Sequence, residues 1–179
     1  LNDYRPISVT PILSRLAEKL IVTRWLRPAV PNENIIDQFA FKPTGSTTCA
    51  IVYCMHHVTR LLETNTFVRC LCIDFSKAFD TVRHELLLTK LRTLPMPPSI
   101  FNWIISFLTG RSQVCKCYDK CSAPCFITRS IIQGSGIGPT LYIAMESDLH
   151  PISSNNIMFK YADDTNLLVP ENTDVDLND

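Results

Sequence analysis

No apolar run in the 179-residue sequence approaches the length of a membrane span, and no basic-then-apolar leader opens it, so we expect a soluble, intracellular protein. Net charge is also missing: 17 basic and 17 acidic residues cancel, which removes any global electrostatic argument for a nucleic-acid partner. Eight cysteines are present, but the paired C-x2-C knuckles of common structural zinc sites are not. Cys115, Cys117, Cys121 and Cys125 follow C-x-C-x3-C-x3-C, a spacing that argues against a zinc module, while Cys49, Cys54, Cys70 and Cys72 fall inside apolar patterns and are expected as free core thiols. The chain shows no internal repeat and no low-complexity tract. It begins with Leu1 rather than Met, and Pro170 to Asp179 carries neither a helix nor a strand pattern, so we expect a fragment of something longer.

What is present is a chain that is 46% hydrophobic and long enough for one domain with a core. Its charge is unevenly spread. From Leu1 to Val30 five bases (Arg5, Arg15, Lys19, Arg24, Arg27) face Asp3 and Glu18, whereas after Pro139 Lys160 is the one base among eight acids. That distribution suits phosphate at one end and cations at the other.

Thr10-Pro11 predicts a capped helix start, with Leu13, Leu16, Ala17, Leu20 and Ile21 as its apolar stripe and Pro28 as its stop. A second helix is predicted from about Thr47 to Leu62, with a stripe of Ile51, Cys54, Met55, Val58, Leu61 and Leu62 and with His56 and His57 on its surface. "FVRCLCIDF" reads as a strand that places Val68, Cys70, Cys72 and Asp74 on one face. Val82, Leu86, Leu87, Leu91 and Leu94 predict a helix capped by Asp80 or Thr81. Phe101, Ile104, Ile105 and Leu108 predict another, ended by Gly110. Gln113 to Tyr118 and Phe126 to Ile132 suggest a hairpin. "QGSGIGP" then feeds a helix with Leu141, Met145 and Leu149 inward, and the chain closes with a hairpin whose tip is "YADDTN".

Two adjacent carboxylates, Asp163 and Asp164, therefore sit between strand-like runs, where a polar turn would account for them. Asp74 changes that balance, because it too ends an apolar strand and precedes a short turn and a helix. If that strand neighbours the final hairpin, the acids converge at one sheet edge and repel unless cations neutralise them. Mg²⁺ suits such a site: it takes a few carboxylate oxygens and leaves the rest of its octahedron to water and phosphates. Two such ions, roughly 3.5–4 Å apart, serve in-line phosphoryl transfer.

These blocks resemble, in order, those of reverse transcriptases of the non-LTR (LINE-like) retrotransposon group. "DYRPISVTPILSRLAEKLI" and "QFAFKPTGSTTCAI" resemble the two fingers blocks, "CIDFSKAFDTVRHELLLTKL" motif A, "QGSGIGPTLY" motif B and "YADD" motif C. The resemblance implies an α+β fold of fingers and palm, with an antiparallel palm sheet packed on helices and no thumb: residues 1–66 fingers-like, 67–169 palm, 170–179 a truncated polar tail. It implies RNA-directed DNA polymerase activity with an RNA template, a DNA primer and dNTPs as partners, and two Mg²⁺ ions, or Mn²⁺ in their place. Asp74, Asp163 and Asp164 would be the catalytic metal ligands, Asp164 the less direct one. Phe79 would be the aromatic gate that rejects a ribose 2′-OH, and Gln133 and Gly134 would lie beside the incoming nucleotide. Arg5 and Lys42 would meet the triphosphate or template backbone, and Tyr161 would lie beneath the primer end. Asp80 and His84 also match the pattern, though a cap and a packing or hydrogen-bonding role explain them.

Departures touch motif B, where Ile132 replaces a usual proline and Gly136-Ile137 a commoner apolar pair, and "AMESDL" is more polar than usual. Without later palm segments and a thumb, we expect the 179-residue piece not to polymerise processively. A decayed element that binds nucleic acid without catalysis is the alternative.

Overall fold

The computed structural model describes residues 8–174. In chain order its elements are α1 (Ile12–Ile21), a π-helical turn (Val22–Leu26), α2 (Arg27–Ala29), a 3-10 turn (Asn32–Ile35), α3 (Thr47–Leu62), β1 (Val68–Ile73), α4 (Ala78–Thr81), α5 (His84–Arg92) and α6 (Pro98–Leu108). There follow the two-residue strands β2 (Ser112–Gln113), β3 (Lys116–Cys117), β4 (Lys120–Cys121) and β5 (Cys125–Phe126), then α7 (Gly138–Glu146), β6 (Ile157–Tyr161), β7 (Asp164–Pro170) and a final 3-10 turn, Glu171–Thr173. The chain divides into two interleaved compact units, one holding Lys77–Met145 with the segment that ends at Pro31, the other Asn32–Ser76 with the segment that begins at Glu146.

The first unit is mainly helical. α1 runs through the π turn into α2, so Pro28 does not stop the helix as expected; it ends at Val30, whose backbone is extended. The π turn directly before the proline opens the backbone spacing, which relieves the clash a proline ring makes with the preceding turn. Thr10 is not the cap either. Pro11 holds the cap position without a side-chain bond, and the Thr10 hydroxyl instead accepts from Arg15 Nε at 3.1 Å.

The expected inward stripe is also corrected: Leu13, Leu16 and Leu20 are 79%, 64% and 52% exposed, whereas Glu18 and Ile21 are buried. Periodicity identifies an apolar face but not whether a neighbour covers it, and here the bonds made by Glu18 fix the helix orientation. The helix expected to follow Asp80 or Thr81 is α5, which begins only at His84; Asp80 and Thr81 lie in the short α4, and the chain breaks between the two at Val82 (φ −60°, ψ 118°). Main-chain bonds explain the break, since Phe79 and Val82 carbonyls accept from the Ile131 and Ser130 N–H groups. Arg83, not Asp80 or Thr81, precedes α5, again with no side-chain cap.

Gly110 (φ +67°) follows α6 as expected. The expected long hairpin is instead two short ladders, β2 with β5 and β3 with β4. α7 buries Leu141, Tyr142, Ile143 and Ala144 in succession, so it has no single inner side, and Leu149 lies beyond its end.

The second unit is a three-stranded antiparallel sheet of order β1-β7-β6, with α3 packed on it. α3 matches its expected span, and Ser46 caps it by accepting from Cys49 N–H at 3.1 Å. Tyr53 of α3 packs its ring 5.2 Å from Phe39 and 6.2 Å from Phe159, centroid to centroid, anchoring helix to sheet. β7 is central, pairing with β1 on one side and β6 on the other, and it closes on buried Leu168, Val169 and Pro170.

β1 is an edge strand, and Cys70 and Cys72, with Cys49 on α3, are exposed rather than core. Cys54 is half-buried, its thiol pushed up by burial and then by the neighbouring Cys72. A period-two pattern states which residues share a face, not whether the edge is covered. Among the described residues no helix is long and apolar enough to cross a membrane.

Candidate active site

Register decides where the three acids lie. β1 and β7 pair Val68 with Pro170 through to Ile73 with Thr165, and β6 and β7 pair Ile157 with Leu168 through to Tyr161 with Asp164. Asp74 follows Ile73, and Asp164 precedes Thr165, so both leave the sheet at the end that carries the β6–β7 turn. Ala162 and Asp163 are the two residues of that turn. Ala162 has φ +56° and Asp163 is not among the positive-φ residues, which fits the II′ pattern of tight hairpins, where glycine is usual. Alanine in the left-handed region costs about 1 kcal/mol, so neighbouring structure must hold it there. Because Asp163 belongs to the turn rather than to either strand, it is free of the strict alternation that would send it opposite to Asp164.

Asp74 and Asp164 are exposed and Asp163 is half-buried. Asp74, Asp163 and Asp164 offer carboxylate oxygens, the ligand type that Mg²⁺ takes alongside water and phosphate oxygens. Among the described residues no group of three His, Cys, Asp or Glu side chains is gathered into a metal-sized cluster.

A buried ionic group supports the hairpin. Lys160 is 1% exposed, and its ammonium meets Asp37 Oδ2 at 3.2 Å and donates to the Leu149 carbonyl at 3.0 Å. His150 Nδ1 lies 3.7 Å from the same Asp37 oxygen. Burial pushes the Glu146 carboxyl up to about 7, opposed by Lys160 and the Gln38 hydrogen bond and reinforced by Asp37 and Asp163. Asp37 Oδ1 and Glu146 Oε1 are buried with no hydrogen-bond partner, as is Thr165 Oγ1.

The other sequence-predicted residues are placed as follows. Phe79, on α4, stacks on Tyr142 with ring centroids 4.4 Å apart and planes 17° apart. Gln133 donates from Nε2 to Asp80 Oδ1 at 3.1 Å, so Asp80 orients that glutamine rather than capping α5. His84 Nε2 bonds the Ser130 carbonyl at 2.8 Å. Gly134 takes φ +92°, and at Gly138 an added Cβ would lie 2.9 Å from Ser135 Oγ, so this loop needs glycine at both points.

Lys42 donates to the carbonyls of Ile35 (3.3 Å) and Ile36 (3.4 Å) and lies 5.1 Å from the Phe39 ring centroid. Tyr161 ends β6, half-buried, and Arg5 lies outside the described residues. Cys115, Cys117, Cys121 and Cys125 are exposed free thiols along the short ladders. Sequence reasoning missed Gln38, Glu18, Glu146 and the role of Lys160. Their signal was a polar residue at an inward position of an apolar pattern, as in "IMFKY" and "LYIAME".

The family model for reverse transcriptase (RNA-dependent DNA polymerase) matches residues 1–178. The chain belongs to the reverse transcriptase family. It is 30% identical, over 96% of its length, to the probable RNA-directed DNA polymerase from transposon BS of Drosophila melanogaster. It is 32% identical, over 83% of its length, to the RNA-directed DNA polymerase from mobile element jockey of Drosophila funebris. Both are non-LTR retrotransposon proteins, the group identified from the motif blocks. The reverse transcriptase chain spans only 20% and 16% of those two relatives. Among solved structures, telomerase from Candida albicans in complex with a fragment of telomeric RNA superposes with a TM-score of 0.64 at 12% identity, covering 89% of this chain and 31% of that one. That likeness speaks to fold alone.

Proposed function

We propose that this chain is the catalytic core of an RNA-directed DNA polymerase that adds deoxynucleotides to a DNA primer 3′-OH on an RNA template. The observation that supports it most is the β1–β7 register, which brings Asp74 to the sheet end where the turn carries Asp163 and β7 opens with Asp164. Asp74, Asp163 and Asp164 would hold two Mg²⁺ ions, with Mn²⁺ an alternative. Bound there, the ions would supply Lewis acidity at the attacking and leaving oxygens of an in-line displacement.

The chain's own residues position the reactants. Phe79, its ring fixed against Tyr142, rejects a 2′-OH by its bulk and so favours dNTPs. Gln133, oriented by Asp80, and Gly134, with its open backbone, border the nucleotide. Lys42 and Arg5 serve the triphosphate or template backbone, and Tyr161 supports the primer end. Residues up to 66 act as fingers and 67–169 as palm, and processive synthesis draws on a thumb.

Primer extension on an RNA template by the full-length protein tests this reading. Asp163→Asn or Asp74→Asn should each lower dNTP incorporation by at least about 10³-fold, with far-UV circular dichroism unchanged. Incorporation by Asp163→Asn at the wild-type rate sinks the assignment.

A further inference from the structure

Gln38 is 2% exposed and lies 124 positions from Ala162, yet its side-chain amide pairs with that residue as a second peptide would. Oε1 accepts the Ala162 N–H at 2.9 Å and Nε2 donates to the Ala162 carbonyl at 3.0 Å. The remaining capacity is also used: Oε1 accepts the Ala40 N–H at 2.9 Å, and Nε2 donates to Glu146 Oε2 at 3.2 Å. Two donors and two acceptances exhaust what a glutamine amide offers, so its orientation is fixed by its partners.

The backbone leads into this contact. Lys160 N–H donates to the Asp37 carbonyl at 2.7 Å and Phe39 N–H donates to the Lys160 carbonyl at 2.8 Å, a parallel bridge along the open edge of β6. Gln38 extends that bridge two residues further with its side chain, to the one turn residue in the left-handed region.

We propose that Gln38 is a positioning residue for catalysis: by clamping both backbone polar groups of Ala162, and so the peptide units on either side of it, it holds the turn in its left-handed form and fixes the direction in which Asp163 leaves it. The inference rests on Asp163 being a metal-binding carboxylate. The clamp does not touch substrate. Its consequence is geometric, because an Asp163 carboxylate misplaced by a fraction of an ångström would hold a metal ion less well without altering nucleotide affinity.

Single-nucleotide incorporation by the full-length protein, with amide hydrogen exchange alongside, tests it. Gln38→Met keeps length and volume and removes every bond. It should lower kcat by about tenfold or more, leave the dNTP KM within about twofold, and raise the Mg²⁺ concentration for half-maximal rate. Glycine enters the left-handed region without a clamp, so Ala162→Gly added to Gln38→Met should recover at least about a third of the lost kcat. In the unsubstituted protein the Ala162 amide, although at a hairpin tip, should exchange at least about tenfold more slowly than an unprotected amide.

Unchanged kcat in Gln38→Met, no recovery on adding Ala162→Gly, or an unprotected Ala162 amide each overturns the proposal. Failure of the underlying reading looks different: Asp163→Asn would then remain active while the Ala162 amide stays protected.

Discussion

Each unit contains one irregular segment that the proposed chemistry needs, and each segment is held from far away in sequence, by opposite means. In the first unit the glycine loop before α7 is held by a charge. The fully buried Glu18 carboxylate accepts from Gly136 N–H at 2.6 Å and Ile137 N–H at 3.3 Å, and the Ser14 hydroxyl donates to its other oxygen at 2.9 Å. Those amides lead into the α7 N-terminus, where a negative charge is favoured. In the second unit the hairpin turn is held by the neutral amide of Gln38, because both the donor and the acceptor of one residue, Ala162, must be met. Charge lies beneath that clamp, in Lys160, Asp37 and Glu146. A row of N–H groups calls for an anion, and a residue with both its N–H and its C=O unmet calls for an amide.

The most severe way to break this contrast is to remove the buried cation from the second unit. Lys160→Met leaves the nearly buried Asp37 and Glu146 carboxylates without their positive partner, and such a change costs about 3–5 kcal/mol. Urea denaturation should register a loss of that order. A loss below about 1 kcal/mol would mean that solvent already screens the group and that the second unit does not depend on buried charge.

The next effect is a pH dependence confined to the same group. Unfolded, Glu146 ionises near its ordinary 4.5; folded, burial holds it protonated up to about 7. Between those values the folded chain keeps a proton that the unfolded chain gives up, so stability falls as pH rises from about 4.5 to about 7 and then levels off. The fall is on the order of 3 kcal/mol at most. Urea titrations at intervals from pH 5 to pH 8 should show it in the wild type and show it flattened in Glu146→Gln. Equal slopes in the two proteins would remove Glu146 as its source.

Much of the second unit was legible because its signals are local. The α3 span follows from its apolar period, although Ile51, Met55 and Leu62 of that stripe are exposed, and the β6–β7 hairpin follows from two apolar runs around a polar pair. The acids of the site were legible from motif order, but the reason they share one sheet end is a pairing between β1 and β7, distant in sequence. No local pattern encodes that pairing. Where the reading failed, the cause was long-range too. Leu13, Leu16 and Leu20 form a correct period on an uncovered face, and α5 starts at His84 rather than beside Asp80 because the Phe79 and Val82 carbonyls are taken by Ile131 and Ser130. Gln38 and Lys160 look out of place in apolar surroundings until their partners are known.

The smallest expected effect sharpens the comparison most, because it asks whether the first unit needs the charge or only the acceptor. Glu18→Ala strips the acceptor from two loop amides, one of them on buried Ile137, and should destabilise by about 1–3 kcal/mol. Glu18→Gln keeps an oxygen at the same reach but no charge, and hydrogen bonds to neutral groups are roughly half as strong as those to ionised ones. Its loss should therefore be about half that of Glu18→Ala, read by urea denaturation at neutral pH and by hydrogen exchange at Gly136 and Ile137. If Glu18→Gln matches the wild type, the loop needs only an acceptor, and both units hold their functional backbone by the same neutral chemistry. If it is as damaging as alanine, charge at the α7 N-terminus is the whole of the effect, and the two segments are held by different physics.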